Sequence, residues 1–156
     1  MILVVVPVVI QNISLRRDTR WRQPTDPQNS VDWQAVFTGI KVKEMLFQEL
    51  NEIGVYDGIW ACSSILHLPK KELLSVIQKM CIALKDNGVI YTSFKYSNFE
   101  GERNGRYFTD FMEDTFREFI KVIPELTVED QWITLDVRPG RGEEKWLNLI
   151  LRKNQK

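Results

Sequence analysis

Cysteine and histidine are scarce in this chain of 156 residues, which has two cysteines and one histidine. Cys62 and Cys81 cannot build a disulfide framework, and with a single histidine they fall short of the ligand set of an ordinary structural zinc site. Such thiol usage is typical of a reducing compartment. We therefore expect a cytoplasmic protein that holds no metal.

An excess of charge and a long apolar run are also missing. Lysine and arginine number 21, as do aspartate and glutamate, so the net charge is zero and a general nucleic-acid binder has no electrostatic basis. No apolar run reaches the roughly 20 residues of a transmembrane helix. Ile2–Ile10 is apolar but lacks the basic flank and the cleavage site of a signal peptide. We expect neither a nucleic acid nor a membrane as partner.

The chain does contain enough apolar side chains for a packed core, because 44% of its residues are hydrophobic and 11% are aromatic. From Thr38 onward, strand and helix patterns alternate regularly. In chain order they predict a strand and its exit at 41–50, a strand at 56–63, a helix at 70–84, a strand at 89–94, a helix beginning near 113, and strands at 128–137 and 145–151.

This order predicts an α/β fold whose sheet has a parallel centre and an antiparallel edge hairpin. The turn at 138–142, which contains proline and two glycines, connects the two strands of the hairpin. The apolar spacing of the helix after Pro69 places Cys81 on a buried stripe, and Cys62 is expected to be buried on its strand. Ligands of such sheets bind beyond the carboxyl ends of the strands.

Residues 1–37 do not share this alternation. Valines and a proline crowd the first ten positions, and the following stretch is rich in Arg, Asp, Gln and Pro without a clear period. Taken alone, such a stretch is typical of a loop or of disorder. The chain contains no G-x-G-x-x-G sequence, so a phosphate-binding loop of another nucleotide-binding α/β enzyme has no support.

Residues 38–152 resemble the C-terminal part of a class I S-adenosylmethionine-dependent methyltransferase of the small bacterial, tellurite-resistance-like type. The segments that carry the resemblance are YDGIWACSSILHLPKKEL, IALKDNGVIYTSFK, GERNGRYFTDFMED, WITLDVRPGR and EEKWLNLILRK. The resemblance implies an incomplete Rossmann-like methyltransferase sheet in which the first two segments are the fourth and fifth strands. It also implies transfer of a methyl group from S-adenosylmethionine to a small-molecule acceptor.

The family's cofactor signature is missing from residues 1–37. The first strand of the family ends in a loop that reads roughly D-x-G-x-G-x-G, where glycine lets the backbone approach the cofactor closely. An acidic residue about 20 positions later holds the ribose hydroxyls. Because neither feature is present, this chain is expected to bind the cofactor poorly.

The genetic code offers an explanation, because every valine codon is GT-x and a shifted reading x-G-T encodes Gly, Cys, Arg or Ser. The shifted frame joins the third base of each codon to the first two bases of the next codon. In this frame, codons that encode residues 1–14 can be translated as D-L-G-C-G-T-G-R-D-S-K-Y-F, and those that encode residues 17–28 as G-Y-Q-V-E-A-T-D-G-S-A. These are the missing loop and acidic residue in the right order. We hypothesise that residues 1–37 are an out-of-frame relic of the cofactor-binding half, which also lacks the upstream half of its first strand, and that residues 38–156 are the C-terminal part.

The resemblance also implies site residues for the cofactor. Residues after the third strand contact the adenine, and those ending the fourth strand line the methionine end. The corresponding positions here are Phe47, Gln48, Glu49 and Leu50 for the adenine, and Ala61, Cys62 and Ser63 for the methionine end. The alternative is ordinary strand packing at both places.

His67 follows the fourth strand and is the candidate general base, since histidine suits proton transfer near neutral pH. The alternative is a structural histidine. The loop after the fifth strand is where the family contacts its acceptor, and guanidinium groups bind anions bidentately. The candidate acceptor-binding residues are Lys95, Tyr96, Arg103, Arg106 and Arg138, with Arg141 as a further member of an anion clamp. The alternative is a set of solvated loop charges that are partly paired with Glu100, Glu102 and Asp136.

The rival to a methyltransferase is a non-catalytic interaction module that keeps the remnant of the fold. A sheet without its first strands has an exposed edge, and such an edge favours self-association. Residues 2–10 are apolar enough to cover this edge as a substitute strand.

Overall fold

The computed structural model describes residues 3–4 and 44–155, so the predicted out-of-frame segment lies outside the described residues except for Leu3 and Val4. Two 3-10 turns cover Phe47–Glu49 and Ile65–His67. The regular elements are β1 (Leu3–Val4), β2 (Glu44–Met45), β3 (Tyr56–Ala61), α1 (Lys70–Ala83), β4 (Leu84–Lys95), β5 (Glu100–Arg103), β6 (Arg106–Thr109), α2 (Glu113–Ile120), β7 (Leu126–Leu135) and β8 (Lys145–Lys153).

Four strands form the main sheet, in the order β3-β4-β8-β7. β3 and β4 are parallel, whereas β8 is antiparallel to both β4 and β7. The predicted parallel centre and antiparallel edge hairpin are therefore confirmed. No helix of residues 44–155 is long and apolar enough to cross a bilayer.

One face of the sheet packs against both helices. Side chains on a strand point alternately to the two faces. Ile90 and Phe94 on β4, and Leu147 and Leu149 on β8, are fully buried in a single core. The opposite face presents Trp60, whose side chain is 58% exposed. No helix of the described residues belongs to this second face, because both helices contribute to the core.

α1 begins directly after Pro69, as predicted, and its apolar stripe is buried. It ends at Ala83, one residue earlier than predicted. The chain then turns sharply into the paired part of β4, with Asn87 at φ 63°. A side chain at Gly88 would come within 2.9 Å of the Lys85 carbonyl oxygen, so the turn requires glycine there.

Three details differ from the sequence-based predictions. Cys62 is exposed, not buried, because β3 ends at Ala61 and the cysteine lies beyond the strand. The predicted strand at 41–50 is, within its described residues, only Glu44–Met45 followed by a turn. Leu3–Val4 pairs with β2, so this described part of the opening segment does not cover the free edge of β3.

The fourth difference is a hairpin in a region predicted to be a polar loop. β5 and β6 pair antiparallel through a two-residue turn at Asn104 and Gly105, whose φ angles are 50° and 74°. Asn-Gly is the preferred sequence for a hairpin turn with two positive φ values. The signal was present in the sequence, but the flanking strands are too polar and short to show a strand pattern.

Candidate functional site

A cleft of about 880 Å³ opens beyond the carboxyl ends of β3 and β4, at the place where the sequence predicts a ligand. The end of β3, the turn that carries His67, the β5–β6 hairpin and the connection between β7 and β8 form its walls. Most of the predicted site residues converge on this cleft, although they come from separate parts of the chain. They are Cys62, Ser63, His67, Lys95, Arg103, Arg106, Arg138 and Arg141.

A smaller space of about 330 Å³, which we call the side pocket, adjoins the cleft between the β5–β6 hairpin and the β7–β8 connection. Tyr96, a predicted acceptor-binding residue, lines the side pocket rather than the cleft. Its hydroxyl donates a hydrogen bond to Oε2 of Glu113 at 3.2 Å. This bond and burial raise the pKa of Tyr96 above its usual value.

The predicted adenine contacts do not line the cleft. Phe47 and Leu50 are buried in the core, whereas Gln48 and Glu49 are exposed. The side-chain amide of Gln48 donates to Glu72 on α1 at 3.3 Å. Their role toward an adenine stays a prediction. Ala61 is fully buried, and its carbonyl oxygen accepts a hydrogen bond from Thr92 Oγ1 at 3.3 Å, so its role toward the cofactor also stays a prediction.

The backbone turns abruptly at the end of β3. Ser63 has a φ of 48°, a left-handed conformation that is unfavourable for a residue with a side chain. Its N–H donates to Oγ of Ser93 at 2.9 Å, which fixes the turn. The Cys62 sulfur lies 3.7 Å from the same oxygen. Such strained residues cluster at ligand sites, where the surrounding structure holds them.

His67 is oriented by the hairpin. Nδ1 lies 2.7 Å from the carbonyl oxygen of Tyr107, and the ring packs edge-on against Phe108 with centroids 4.6 Å apart. Because a carbonyl oxygen only accepts, Nδ1 carries the proton in this contact. In the neutral ring Nε2 is then a free acceptor, and no described residue bonds to it. The site thus offers one oriented basic nitrogen.

Asp136 was predicted only as an ion-pair partner of the loop arginines, yet it organises one wall of the cleft. It is buried and accepts hydrogen bonds from Arg138 Nε at 2.8 Å, Trp146 Nε1 at 3.0 Å and Lys95 Nζ at 3.1 Å. Lys95 Nζ also lies 4.1 Å from the centre of the Trp146 ring and pairs with Glu144. These bonds fix the β7–β8 connection to the end of β4.

The stability of this wall depends on pH. Hydrogen bonds from Arg138, then from Trp146 and Lys95, hold the pKa of Asp136 far below its usual 3.8. A carboxylate whose pKa is lower in the folded chain stabilises the fold above its unfolded pKa, and the contribution disappears as the pH falls. We expect the thermal midpoint to fall as the pH is lowered below about 5, and the Asp136→Asn variant to lose part of this dependence. Equal acid sensitivity of variant and parent in a pH series of melting curves would contradict the assignment.

Cationic side chains dominate the cleft. Of its six charged lining residues, five are basic and only Asp136 is acidic. Arg138 is bound to Asp136, Arg103 to Asp110, and Arg141 lies 3.7 Å from Glu144. Arg106 has no ion pair with a described residue. The sequence-based alternative of partly paired loop charges is confirmed for Arg138 with Asp136, whereas Arg103 and Arg141 have acidic partners other than the expected ones.

No protein-family model and no curated protein sequence matches the chain, but solved structures match its fold. A Burkholderia thailandensis 1,6-didemethyltoxoflavin-N1-methyltransferase, with bound 1,6-didemethyltoxoflavin and S-adenosylhomocysteine, aligns with 71% of this chain at a TM-score of 0.60 and 19% identity. An S-adenosylmethionine-dependent methyltransferase from Methanosarcina mazei aligns with 72% at 0.59 and 12%. The N-methyltransferase NodS from Bradyrhizobium japonicum, in complex with S-adenosylhomocysteine, aligns with 71% at 0.51 and 12%.

The chain has the fold of the class I S-adenosylmethionine-dependent methyltransferases. It covers 49%, 66% and 53% of the lengths of these three proteins, so a large part of each has no counterpart in the aligned residues. At these identities the likeness establishes the architecture and leaves the chemistry to be argued from the site.

Proposed function

We propose that this chain derives from a methyltransferase that moves a methyl group from S-adenosylmethionine to a small anionic acceptor. The observation that carries the proposal is the cleft beyond the carboxyl ends of β3 and β4, whose charged lining is five parts basic to one part acidic. Two proteins of the same fold were crystallised with S-adenosylhomocysteine, the product that such a transfer leaves behind. The tellurite-resistance-like subtype is proposed on the sequence resemblance alone.

Cys62 and Ser63, which line the cleft, would face the methionine end of the cofactor. A contact of Phe47–Leu50 with the adenine is proposed on the sequence resemblance alone, because these residues lie outside the lining of the cleft. Bound S-adenosylmethionine would supply an activated methyl group, so the acceptor needs positioning more than it needs a strong base. Arg106 is free to bind the acceptor's anionic group.

Arg103, Arg138 and Lys95 are each paired with a carboxylate, so Arg106 is the main source of positive potential on this side of the cleft. His67 Nε2 would take a proton from the acceptor where one is lost. Tyr96 lines the adjoining side pocket and would contact a part of the acceptor that extends there.

The chain as it stands does not fit the cofactor. All eight glycines occur at Gly39 or later, so residues 1–37 contain no glycine-rich loop. We propose that residues 1–37 are translated out of frame and that cofactor binding is weak for this reason. Codons in this stretch that forbid the shifted reading would remove the explanation.

A methyl-transfer assay on frame-restored protein tests the proposed function. With labelled S-adenosylmethionine and a panel of small carboxylic acids, we expect transfer to at least one acid. Arg106→Gln should raise the KM for that acid about tenfold, because a hydrogen bond to a charged group is lost. Arg117→Gln, on α2 outside the cleft, should leave KM unchanged. Transfer restricted to neutral acceptors, or equal effects of the two variants, would refute the anion clamp.

The second candidate is an interaction module that pairs with another copy of itself. The edge of β3 away from β4 has no partner in the described residues, and Trp60 stacks on Tyr91 with centroids 4.0 Å apart on an uncovered face. The β3 strands of two copies can pair antiparallel about a centre between Gly58 and Ile59. In this register Asp57 of each copy lies opposite Trp60 of the other, so no two like charges face each other. Sedimentation as a monomer at tens of micromolar would exclude this candidate.

A further inference from the structure

Arg106 stands in an electrostatically unfavourable position. It pairs directly with Arg103 across the two-residue turn of the β5–β6 hairpin, so the two side chains leave the same face of the hairpin. Like charges directly opposite each other are destabilising. Arg103 is neutralised by Asp110, whereas the exposed side chain of Arg106 has no hydrogen bond or ion pair with a described residue. An anion bound to Arg106 would relieve the repulsion.

Arg141 is the second arginine of the cleft whose donors are available. Its side chain is 48% exposed, and its Nε lies 3.7 Å from Oε1 of Glu144, which is too far for a hydrogen bond. Glu144 also pairs with Lys95, so its charge is shared. The other basic residues of the cleft, Lys95, Arg103 and Arg138, each donate a hydrogen bond to a carboxylate.

The two available arginines belong to different walls of the cleft. Arg106 begins β6 on the hairpin, and Arg141 lies in the β7–β8 connection. The side pocket separates these walls, because Asn104 of the hairpin and Arg141 both line it. The backbone N–H of Arg141 donates to the Arg138 carbonyl oxygen at 3.1 Å, and its own carbonyl oxygen accepts from the N–H of Glu144 at 2.9 Å. Both side chains therefore start from fixed backbone, which suits two anionic groups held apart.

We propose that the acceptor is a dicarboxylate, with one carboxylate bound by Arg106 and the other by Arg141. This inference rests on the proposed function, because it assigns a second anionic group to the same acceptor. A guanidinium group can bind a carboxylate through two parallel N–H···O bonds, so each end of the acceptor can be held bidentately. The cleft, at about 880 Å³, has room for a chain that joins the two ends.

The test compares dicarboxylates with their monomethyl esters, which keep the carbon chain but lack one charge. Succinate, glutarate and adipate provide three chain lengths. Each acid and each ester is titrated into the isotope-labelled full-length chain, and the amide signals of Gly105 and Gly142, next to the two arginines in sequence, report binding. We expect the best-fitting dicarboxylate to bind about tenfold more tightly than its ester, because the ester lacks one charged hydrogen-bonded pair.

Arg141→Gln assigns the second carboxylate. It should weaken the dicarboxylate about tenfold and leave the ester unchanged, because the one carboxylate of the ester binds to Arg106. Arg106→Gln should weaken both probes. Arg117→Gln, on α2, removes the same charge outside the cleft and should change neither. Melting curves show whether the variants are folded.

Arg141→Lys separates a direct contact from positive potential. Lysine keeps the charge but lacks the planar fork that binds a carboxylate bidentately. We therefore expect it to recover only part of the affinity that Arg141→Gln loses. Full recovery would show that potential alone attracts the second charge, and the inference would be wrong.

The other outcomes separate this inference from the proposed function. If the esters bind as tightly as the dicarboxylates, or if the tenfold gap survives in Arg141→Gln, the dicarboxylate inference is wrong while the anion clamp stands. If Arg141→Gln weakens acid and ester equally, the two arginines share one carboxylate, and the inference is again wrong. If no probe shifts either glycine signal, the anion clamp fails and the inference falls with it.

Discussion

Phe94→Ala is expected to lower the free energy of unfolding by about 4 kcal/mol, because it removes a large buried side chain and leaves a cavity. Phe94 is fully buried at the end of β4. Its ring contacts Phe111 edge-on at a centroid distance of 5.0 Å and Phe116 at 5.6 Å. The side chain thus joins the sheet to α2, and truncating it removes contacts on both sides.

Urea denaturation followed by far-ultraviolet circular dichroism measures this change. The matched control is Phe99→Ala, since Phe99 is 38% exposed and outside the core. Its cost should stay below about 1 kcal/mol, as for most surface substitutions. Equal costs for the two substitutions would show that the helix-facing side of the sheet has been assigned wrongly.

Much of the fold follows from local patterns in the sequence. The spacing of Leu73, Ile77 and Cys81 predicts a helix with one buried stripe, and the stripe is indeed in the core. The alternation along β4 and the turn before β8 likewise predict a central strand and an edge hairpin. These signals are strong because each element buries one continuous face, and burial leaves a period in the sequence.

The β5–β6 hairpin could not be predicted from such patterns. Its strands have four residues each and few apolar positions, so no period develops. The hairpin is held instead by contacts remote in sequence, such as Thr109 Oγ1 donating to the Leu68 carbonyl oxygen at 2.7 Å. Its Asn-Gly turn was the one local signal. Cys62 was misplaced for a related reason, since a strand's end cannot be read from apolar character alone.

Part of the candidate site was predicted from positions that follow a strand, and part, such as Arg103 and Arg106, from the family resemblance. His67 and Lys95 were singled out because ligands gather beyond carboxyl ends, and both line the cleft. Asp110 was missed and Asp136 was predicted only as an ion-pair partner, because an aspartate in a polar segment is most often solvated. Only the three-dimensional structure shows that both are buried and surrounded by arginine, serine and tryptophan donors.

We propose that the chain retains the acceptor side of a methyltransferase cleft and has lost the cofactor side. S-adenosylmethionine bound to the chain as it stands should therefore show a Kd weaker than about 1 mM, or less than about 4 kcal/mol of binding free energy. The physical reason is the missing glycine loop, since side chains at those positions would block the close approach of the backbone to the cofactor.

Restoring the shifted reading over residues 1–37 should make binding at least about a hundredfold tighter, a gain near 2.7 kcal/mol. A repaired protein whose loop glycines are replaced by valine keeps the length and the other residues of the repair. It should bind as weakly as the original chain. This control separates the glycine loop from a general gain in stability.

Calorimetric titration of S-adenosylmethionine into the original chain and the repaired protein measures whether the cofactor side has been lost. We expect no measurable heat of binding for the original chain and saturable binding at one site for the repaired protein. Submillimolar binding by the original chain, or a folded repaired protein that binds nothing, would contradict it.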